Sequence, residues 1–537
     1  MFDTNFSNLD LCIVVVYLSF TVFIGIYVNR HIHNSAGYLV GGRATGTALN
    51  IATLIGTELG LVTVMYAAAD GFQGGFAYFM TPLIWGVVTL LIGVTGFGVV
   101  RMRRLKLTTI PEYFQRRYSR RVRITAGTMC FIAGVLNMSI FPKMGATFIT
   151  FATGNGDVED VESIIKIITT VLIVLVLIYT MLGGMVAVIV TDYMQFVVLG
   201  LGLVLGLFFC FSLPELGWSQ VVNNWQVSKG DAAFDPLTSS RYGLPYLILQ
   251  AVVAVYATIC WSPNATRCLT TDGEETTRRT YLFASAGLFA RFAIPGLWGV
   301  LAFSYLTLPG GPDGLAEFFS PEAIAEDGSR AAQGMPLLLG KIIPSGFLGI
   351  IMAGLMAAFM STHDSYLLSW ASIASQDIVA PLLGRELTNR QSIWCTRAFI
   401  MIIGVFLVIV GIWFSLPDDI WPYLFVTGSI FLNGAAPALL GGMYWRRASS
   451  TGALIGLLSG FGAIAALYDQ ALQRQVATWC GFVDAQGVTD ATQVIAYVNQ
   501  ATITLASCVL SIVLFVVGSL LFPDAESKFD SSGVSET

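Results

Sequence analysis

The sequence predicts an all-α protein that crosses a membrane many times, and both its composition and the spacing of its apolar runs predict this class. Of the 537 residues, 55% are apolar and only 11% are charged. Soluble domains carry about 25% charged residues, so most of the outer surface of this chain must face lipid. The apolar runs recur evenly from residue 9 to residue 522, which indicates one polytopic domain. The same composition excludes a nucleic-acid binder, a disordered chain and a disulfide-stapled secreted module.

Thirteen segments are long enough to cross a bilayer, because a hydrocarbon core of about 30 Å requires about 20 apolar residues in a helix. The predicted spans are 9–28, 45–69, 76–98, 124–151, 163–182, 186–213, 243–263, 281–307, 342–378, 393–415, 420–442, 451–468 and 496–522. The first span follows Asp3 and contains Asp10, and no basic region precedes it. We therefore expect a retained helix rather than a signal peptide.

The distribution of lysine and arginine predicts the orientation, because positive residues stay on the cytoplasmic side. With the N-terminus outside, the cytoplasmic segments hold 20 of these residues, Arg267 among them, and the outer segments hold 6. The most basic loop, RMRRLKLTTIPEYFQRRYSRRVR, is explained as a cytoplasmic anchor. We expect a multi-pass protein of the cell membrane, with the N-terminus outside and a disordered cytoplasmic tail at 523–537.

Ionisable residues inside spans are functional candidates, because each costs about 2.5–3.5 kcal/mol on insertion scales. The spans contain Glu58, Lys143, Asp192, Arg291, His363 and Asp364. For Lys143 or Arg291 taken singly, a buried ion pair that only holds helices together is an equally good explanation. The eight cysteines form no CxxC pair, and there are three histidines, so we expect no metal site with cysteine or histidine ligands and no cofactor.

The ninth span carries the densest polar pattern. Its serines lie at Ser361, Ser365, Ser369 and Ser372. Spacings of four, four and three place them on one helix face, beside Thr362 and Asp364. Hydroxyls and backbone carbonyls suit a singly charged ion such as sodium. Serines at this spacing also serve as helix-packing contacts, but packing does not require the costly carboxylate of Asp364.

Two further segments have polar groups at membrane depth. In the second span, Gly56 and Gly60 flank Thr57 and Glu58, a composition that can break a helix and free its carbonyls for ligands. The alternative is a close helix crossing at a GxxxG spacing. In the sixth span, Asp192 enters the membrane one to two turns after a predicted glycine turn, where it either binds an ion or only caps and pairs locally.

Several motifs together resemble one family. They are ATxxGxE (Ala52 to Glu58), GGMxAVxxTDxxQ (Gly183 to Gln195), MSTxDSxLL (Met360 to Leu368) and the cytoplasmic TIPEYFQRRY. The chain resembles the sodium/solute symporter family, which includes sodium-coupled carriers of sugars, proline, pantothenate, sialic acid and iodide. The resemblance covers residues from about 9 to 445.

The resemblance implies a LeuT-type core of five plus five helices in inverted repeats, within an all-α protein of about 13 transmembrane helices. Residues 1–44 would form an extra N-terminal helix and loop, 45–213 and 243–442 the two repeats, and 451–522 two C-terminal helices. The implied sodium ligands are the carbonyls of Ala52, Ile55 and Ala358 and the hydroxyls of Ser361 and Thr362.

The resemblance also implies a second ion site in some members, here near Asp192, Asp364 and Ser365. Candidate solute contacts are Glu58, Tyr66, Trp261 and Asn264. Sugar-carrying members have a glutamine that would align with Leu59, so a sugar is disfavoured here.

We therefore predict a secondary active transporter, which moves a small organic solute into the cell with sodium by alternating access. The alternative is a proton-coupled carrier that uses Asp192 and Asp364. A membrane-embedded enzyme is disfavoured because His363 and Asp364, adjacent on a helix, point to different sides. A transporter-like sensor is a lower alternative, since only 15 residues follow residue 522. The expected partners are sodium, the solute and the lipid bilayer, with no nucleic acid and no obligatory protein partner.

Overall fold

The computed structural model describes residues 2–29, 41–157, 160–239, 241–307, 315–414, 420–468, 472, 475 and 498–524. Within these residues the protein is all helical, with one isolated backbone bridge between Thr45 and Thr271 and no strand. The predicted class is confirmed. Most of the loop after the first span, and the predicted tail beyond Asp524, lie outside the described residues.

Fifteen helices build the membrane bundle in the described part of the chain. They are α1 (Asn8–Asn29), α2 (Thr47–Glu58), α3 (Leu61–Gly74), α4 (Met80–Thr95), α5 (Arg120–Met138), α6 (Phe141–Ala152), α7 (Val161–Phe211), α8 (Gly243–Cys260), α9 (Ser262–Thr270), α10 (Glu274–Leu306), α11 (Phe347–Ile373), α12 (Asn389–Trp413), α13 (Ile420–Tyr444), α14 (Ser450–Ser459) and α15 (Gln500–Leu521).

Shorter elements connect them. Short α-helices cover Val99–Arg104, Ile110–Arg117, Trp218–Lys229, Leu315–Phe318, Pro321–Glu326, Ala331–Ile342 and Ala380–Leu383. A π-helical turn, Ala374–Val379, extends α11, and a 3-10 segment, Gly460–Tyr468, extends α14. Further 3-10 turns cover Gly41–Arg43, Gly75–Phe79, Asn155–Asp157, Pro214–Leu216, Gly230–Ala233 and Gly328–Arg330.

The helices account for the thirteen predicted crossings. Eleven segments in the described residues are long and apolar enough to cross a membrane, and a shorter apolar stretch, Asn8–Thr21, belongs to α1. One of the eleven, Leu61–Thr95, contains both α3 and α4. The chain reverses between them at Gly75, whose φ of 64° favours glycine. Counting α2 with α3, and α4 separately, gives the predicted number.

Two helices are interrupted at membrane depth, one near the start of each predicted repeat. The first break separates α2 from α3 at Leu59 and Gly60, where the backbone is not helical. A Cβ atom at Gly60 would collide with Thr362 of α11, so the close approach of the two helices requires glycine. The second break separates α8 from α9 at Trp261, whose backbone is extended. Such paired interruptions are typical of transporters built from inverted repeats.

The helical backbone of α7 continues through 51 residues, where two spans were predicted. A straight helix of this length would measure about 76 Å, more than twice a bilayer core. However, Thr169 in its first half lies near Gly411 of α12, and the ring of Phe209 in its second half lies 5.1 Å from the ring of Phe347 of α11. Gly411 lies in the last turn of α12, and Phe347 is the first residue of α11. Because consecutive spans alternate in direction, these two residues lie on the same side of the membrane. Both ends of α7 therefore lie on the same side of the membrane. Its two halves run in opposite directions and correspond to the two predicted spans.

α11 lies at the centre of the bundle, with almost every residue buried. The carboxylate of Asp10 in α1 accepts the backbone N–H groups of Gly346 and Gly349 at 2.7 and 2.6 Å, which caps the start of α11. The outer helices instead expose large apolar side chains, as expected for a lipid-facing surface. Examples are Val16, Phe23, Ile167, Phe208, Ile402 and Leu521.

Candidate functional site

The break between α2 and α3 lies against the middle of α11, and hydroxyl and carbonyl oxygens converge there. The Ser361 hydroxyl donates to the carbonyl of Gly56 at 2.8 Å and to that of Ala358 at 3.3 Å. The Thr362 hydroxyl donates to the carbonyl of Thr57 at 3.2 Å. All five residues are buried. We refer to these two hydroxyls and three carbonyls as the oxygen cluster.

The oxygen cluster has the chemistry of a site for a small monovalent cation. Its carbonyls come from the last turn of an interrupted helix and from a facing helix, which is where secondary transporters coordinate sodium. None of its five oxygens carries a full charge. An arriving cation would receive lone pairs from hydroxyls that now donate to the carbonyls, and it would hold α2 against α11.

The predicted sodium ligands fall partly within this cluster. The three ligands predicted on α11 belong to it. The other two, the carbonyls of Ala52 and Ile55, lie earlier in α2, and that of Ile55 accepts the N–H of Leu59 at 2.7 Å. Their role as ligands stays a prediction. The sequence analysis did not single out the carbonyls of Gly56 and Thr57, which the structure places against the hydroxyls of Ser361 and Thr362.

The residues predicted for a second ion surround a buried arginine. The Asp192 carboxylate accepts a hydrogen bond from the hydroxyl of Thr53 at 2.6 Å and forms an ion pair with Arg267 at 3.3 Å. Arg267 also donates to the hydroxyl of Ser365 at 2.6 Å and to that of Thr57. The side chains of Arg267 and Asp192 are 1% and 0% exposed. A guanidinium group thus lies among the oxygens expected to receive a cation.

Arg267 was expected in a cytoplasmic loop, and the structure shows that this expectation was wrong. The sequence after the predicted seventh span contains polar residues, which led to that assignment. In the structure these residues form α9, a short buried helix that follows the break at Trp261. Asp364, the third residue predicted for the second ion site, is buried in α11 beside Ser365.

Two other ionisable residues of the spans make structural contacts. The Lys143 ammonium donates to the carbonyl of Phe414 at 2.7 Å. The Nδ1 atom of His363 lies 2.7 Å from the carbonyl of Phe359, one turn earlier in the same helix. Lys143 therefore satisfies a carbonyl just beyond the end of α12, and His363 contacts a carbonyl within its own helix.

A cavity of about 110 Å³ lies beside the oxygen cluster. Three of the four predicted solute contacts line it, namely Glu58, Tyr66 and Trp261. Asn264, the fourth, is buried in α9 and does not line it. Sequence reasoning missed the aromatic residues contributed by other helices, which lie far away in the chain. They include Trp85, Phe141, Phe292 and Tyr366.

Glu58 and Arg291 form an ion pair in the wall of this cavity. The guanidinium of Arg291 contacts the Glu58 carboxylate and donates to the carbonyl of Glu58 at 3.1 Å. It also lies over the rings of Phe292 and Trp85, at 4.2 and 4.9 Å from their centroids. Both members of the pair were singled out from the sequence, but their contact spans 233 positions and was not predicted.

Two residues belong to both sites. Thr57 and Thr362 contribute oxygens to the oxygen cluster and also line the cavity. An ion in the cluster and a solute in the cavity would therefore contact the same two residues. A broken-helix cation site that shares its wall with an adjacent cavity is the arrangement typical of a secondary transporter.

Comparison with known proteins gives the family. Residues 38–460 match the model of the Sodium:solute symporter family, and the chain belongs to this family. The sodium/sialic acid symporter of Proteus mirabilis is 25% identical over 464 residues, which cover 84% of this chain and 88% of that protein. The sodium/proline symporter of Haemophilus influenzae is 21% identical, with coverage of 84% and 86%.

A solved structure has the same fold. A sodium-coupled sialic acid symporter in a substrate-bound, outward-open state superposes with a TM-score of 0.74 at 19% identity, covering 97% of this chain and 99% of that one. The LeuT-type fold predicted from the sequence is confirmed. The family and the fold together make the chain a multi-pass, sodium-coupled symporter of a small solute that works by alternating access.

Proposed function

We propose that one sodium ion binds in the oxygen cluster and drives the uptake of a small organic solute that binds in the adjacent cavity. The observation that carries this proposal is the sharing of Thr57 and Thr362 by the cluster and the cavity. Sodium that holds these two residues in place keeps this wall of the cavity in the arrangement that the solute contacts. Solute affinity then rises when sodium is bound, which is the coupling that symport requires.

The free energy available from one sodium ion is sufficient for useful accumulation. One charge moving through 100 mV yields about 2.3 kcal/mol. This corresponds to a concentration ratio of about 50 for a neutral solute, before any sodium gradient is added.

We further propose that Arg267 takes the place of a second sodium ion. Its guanidinium lies among the oxygens of Asp192, Ser365 and Thr57, and it supplies the positive charge that the buried carboxylate requires. The proposal is supported by the burial of both charges. In this arrangement Asp192 has Arg267 as its counter-ion, so the proposal assigns the coupling ion to the oxygen cluster and not to Asp192.

The proposed orientation has the N-terminus outside and the C-terminus in the cytoplasm of a cell-membrane protein. Without Arg267, the distribution of positive residues is 19 against 6, which still favours this orientation. The capping of α11 by Asp10 places the starts of the first and ninth crossings on the same side, which agrees with the number of crossings between them and is compatible with either orientation.

The test of the sodium site is the thermal stability of the purified protein in sodium chloride and in choline chloride. Sodium at about 100 times its dissociation constant would stabilise the native protein by about 2.7 kcal/mol. Ser361→Ala and Thr362→Ala should lose this stabilisation. Ser369→Ala, two turns further along the same helix face, is the matched control and should keep it. Equal stability of the native protein in both salts contradicts the proposed function.

A further inference from the structure

The walls of the solute cavity carry one negative and one positive side chain. Glu58 and Arg291 supply these charges, and they are paired with each other. Their side chains are only 10% and 3% exposed. The cavity walls therefore offer no net charge to a solute. A solute that carries only a carboxylate would have to compete with Glu58 for Arg291, at the cost of leaving a buried charge without a counter-ion.

The ion pair leaves hydrogen-bonding capacity on both sides. The Oε1 atom of Glu58 and the Nε atom of Arg291 are buried and have no hydrogen-bond partner in the protein. A buried polar atom without a partner costs about 1–3 kcal/mol, and more when it belongs to a charged group. An ion pair that served only to hold α2 against α10 would be more stable if both of these atoms had hydrogen-bond partners within the protein. The unpaired acceptor on Glu58 and the unpaired donor on Arg291 instead match a ligand that carries one hydrogen-bond donor and one acceptor.

The rest of the cavity wall is mainly apolar and aromatic. Of its 19 residues, six are polar or charged without being aromatic, namely Thr57, Glu58, Thr63, Asn137, Arg291 and Thr362, and Tyr66 and Tyr366 add two hydroxyl groups. The indole N–H of Trp261 and the hydroxyl of Tyr366 bond to each other at 3.0 Å. A sugar needs hydrogen-bond partners for several hydroxyls around its ring, and this wall has few to give. A compact solute with an apolar body fits it better.

From these observations we propose that the transported solute is a zwitterion of the amino-acid class, with its amine at Glu58, its carboxylate at Arg291 and an apolar body against the aromatic wall. This assignment rests on the proposed function, because the solute must enter the same cavity. It separates this chain from relatives named for sialic acid, whose solute is a sugar acid.

The first experiment compares solutes on the purified native protein in sodium. The probes are the twenty amino acids, glycine betaine, glucose and N-acetylneuraminic acid, and the measurement is the shift in thermal unfolding. We expect at least one zwitterion with an apolar body to stabilise the protein. Its N-acetyl and methyl-ester forms, which lack one charge, should bind about tenfold to hundredfold more weakly. The proposal is overturned if glucose or N-acetylneuraminic acid stabilises the protein and no zwitterion does, or if no zwitterion has any effect.

The second experiment assigns the two charges with single variants. Glu58→Gln should weaken binding of the zwitterion about tenfold to hundredfold. It should also shift the binding preference toward the N-acetyl form, which is an anion. Arg291→Gln should shift the preference toward the methyl ester, which is a cation. Glu275→Gln removes an exposed ion pair with Arg279 and is the matched control. If the ion pair has only a structural role, both variants should weaken the binding of every solute equally. That result would refute the assignment.

Two readouts keep the outcomes distinct. If a single variant fails to fold, the double variant Glu58→Gln/Arg291→Gln keeps the wall neutral and should bind all three forms with similar affinity. Sodium stabilisation without solute tests the proposed function alone. When sodium stabilises the native protein but no zwitterion binds, the solute assignment fails and the sodium site stands.

Discussion

Replacing Arg267 with alanine is expected to convert the buried arginine site into a second sodium site. In the native protein the guanidinium pairs with Asp192 at 3.3 Å and donates to Ser365 at 2.6 Å, and both charges are fully buried. Removing one member of a buried pair costs about 3–5 kcal/mol, because the other is left as an uncompensated charge. Sodium is small enough to enter the vacated space and supply the missing charge.

The size of the expected effect follows from the linkage between sodium binding and the free energy of unfolding. At sodium concentrations above the dissociation constant, each bound ion adds about 1.4 kcal/mol to the unfolding free energy per tenfold rise in sodium. The native protein, with one site, should show this slope. Arg267→Ala should lose about 3–5 kcal/mol in choline and show about twice the slope in sodium, about 2.7 kcal/mol per tenfold rise.

The assay is chemical or thermal unfolding of native and variant protein in detergent, over a sodium series balanced with choline to constant ionic strength. In the double variant Arg267→Ala/Asp192→Asn, neither charge remains, so most of the lost stability should return and the slope should fall to that of one ion. Arg279→Ala removes an exposed arginine paired with Glu275 and should change stability by less than about 0.5 kcal/mol. An unchanged slope in Arg267→Ala, with no rescue by Asp192→Asn, would show that the arginine does not stand in for an ion.

Two further predictions concern the packing that supports the sites. Gly71→Ala places a methyl group against the backbone of α10 and should destabilise the protein by about 1–3 kcal/mol, whereas Gly200→Ala, with open space around it, should be neutral or slightly stabilising in the same unfolding assay. Arg123→Ala removes the cation that contacts the buried Asp377 at 2.8 Å, and should cost about 3–5 kcal/mol, while the exposed Arg121→Ala should cost less than about 0.5 kcal/mol. Equal effects of target and control in either pair contradict the packing argument.

The architecture could be predicted from the sequence because its main signals are local. The hydropathy of each segment determines whether it can lie in lipid, and this property belongs to some 20 consecutive residues. For the same reason, the cost of an ionisable group in lipid marked Asp192 and Glu58 as candidates before any contact was known, and the helical spacing of the serines marked Ser361. The break in the second span was expected from its glycines, Gly56 and Gly60.

The contacts of the site could not be predicted, because they join segments that are distant in the chain. Glu58 meets Arg291 across 233 positions, and Asp192 meets Arg267 across 75. Hydropathy gives no information about which face of one helix meets which face of another. The sequence also misassigned Arg267, since a polar segment after a span is read as a loop unless the fold returns it to the interior.

The sequence by itself determined that this is an all-α membrane protein with about thirteen apolar spans, and it marked Glu58, Asp192 and Asp364 as polar residues within them, because burial in lipid is decided segment by segment. Only the tertiary structure decided which carbonyls face Ser361 and Thr362, and that Arg267 lies beside Asp192. It alone showed that a neutral ion pair lines the solute cavity. These features depend on the approach of helices within hydrogen-bond distance, which is set by side-chain packing across the whole bundle.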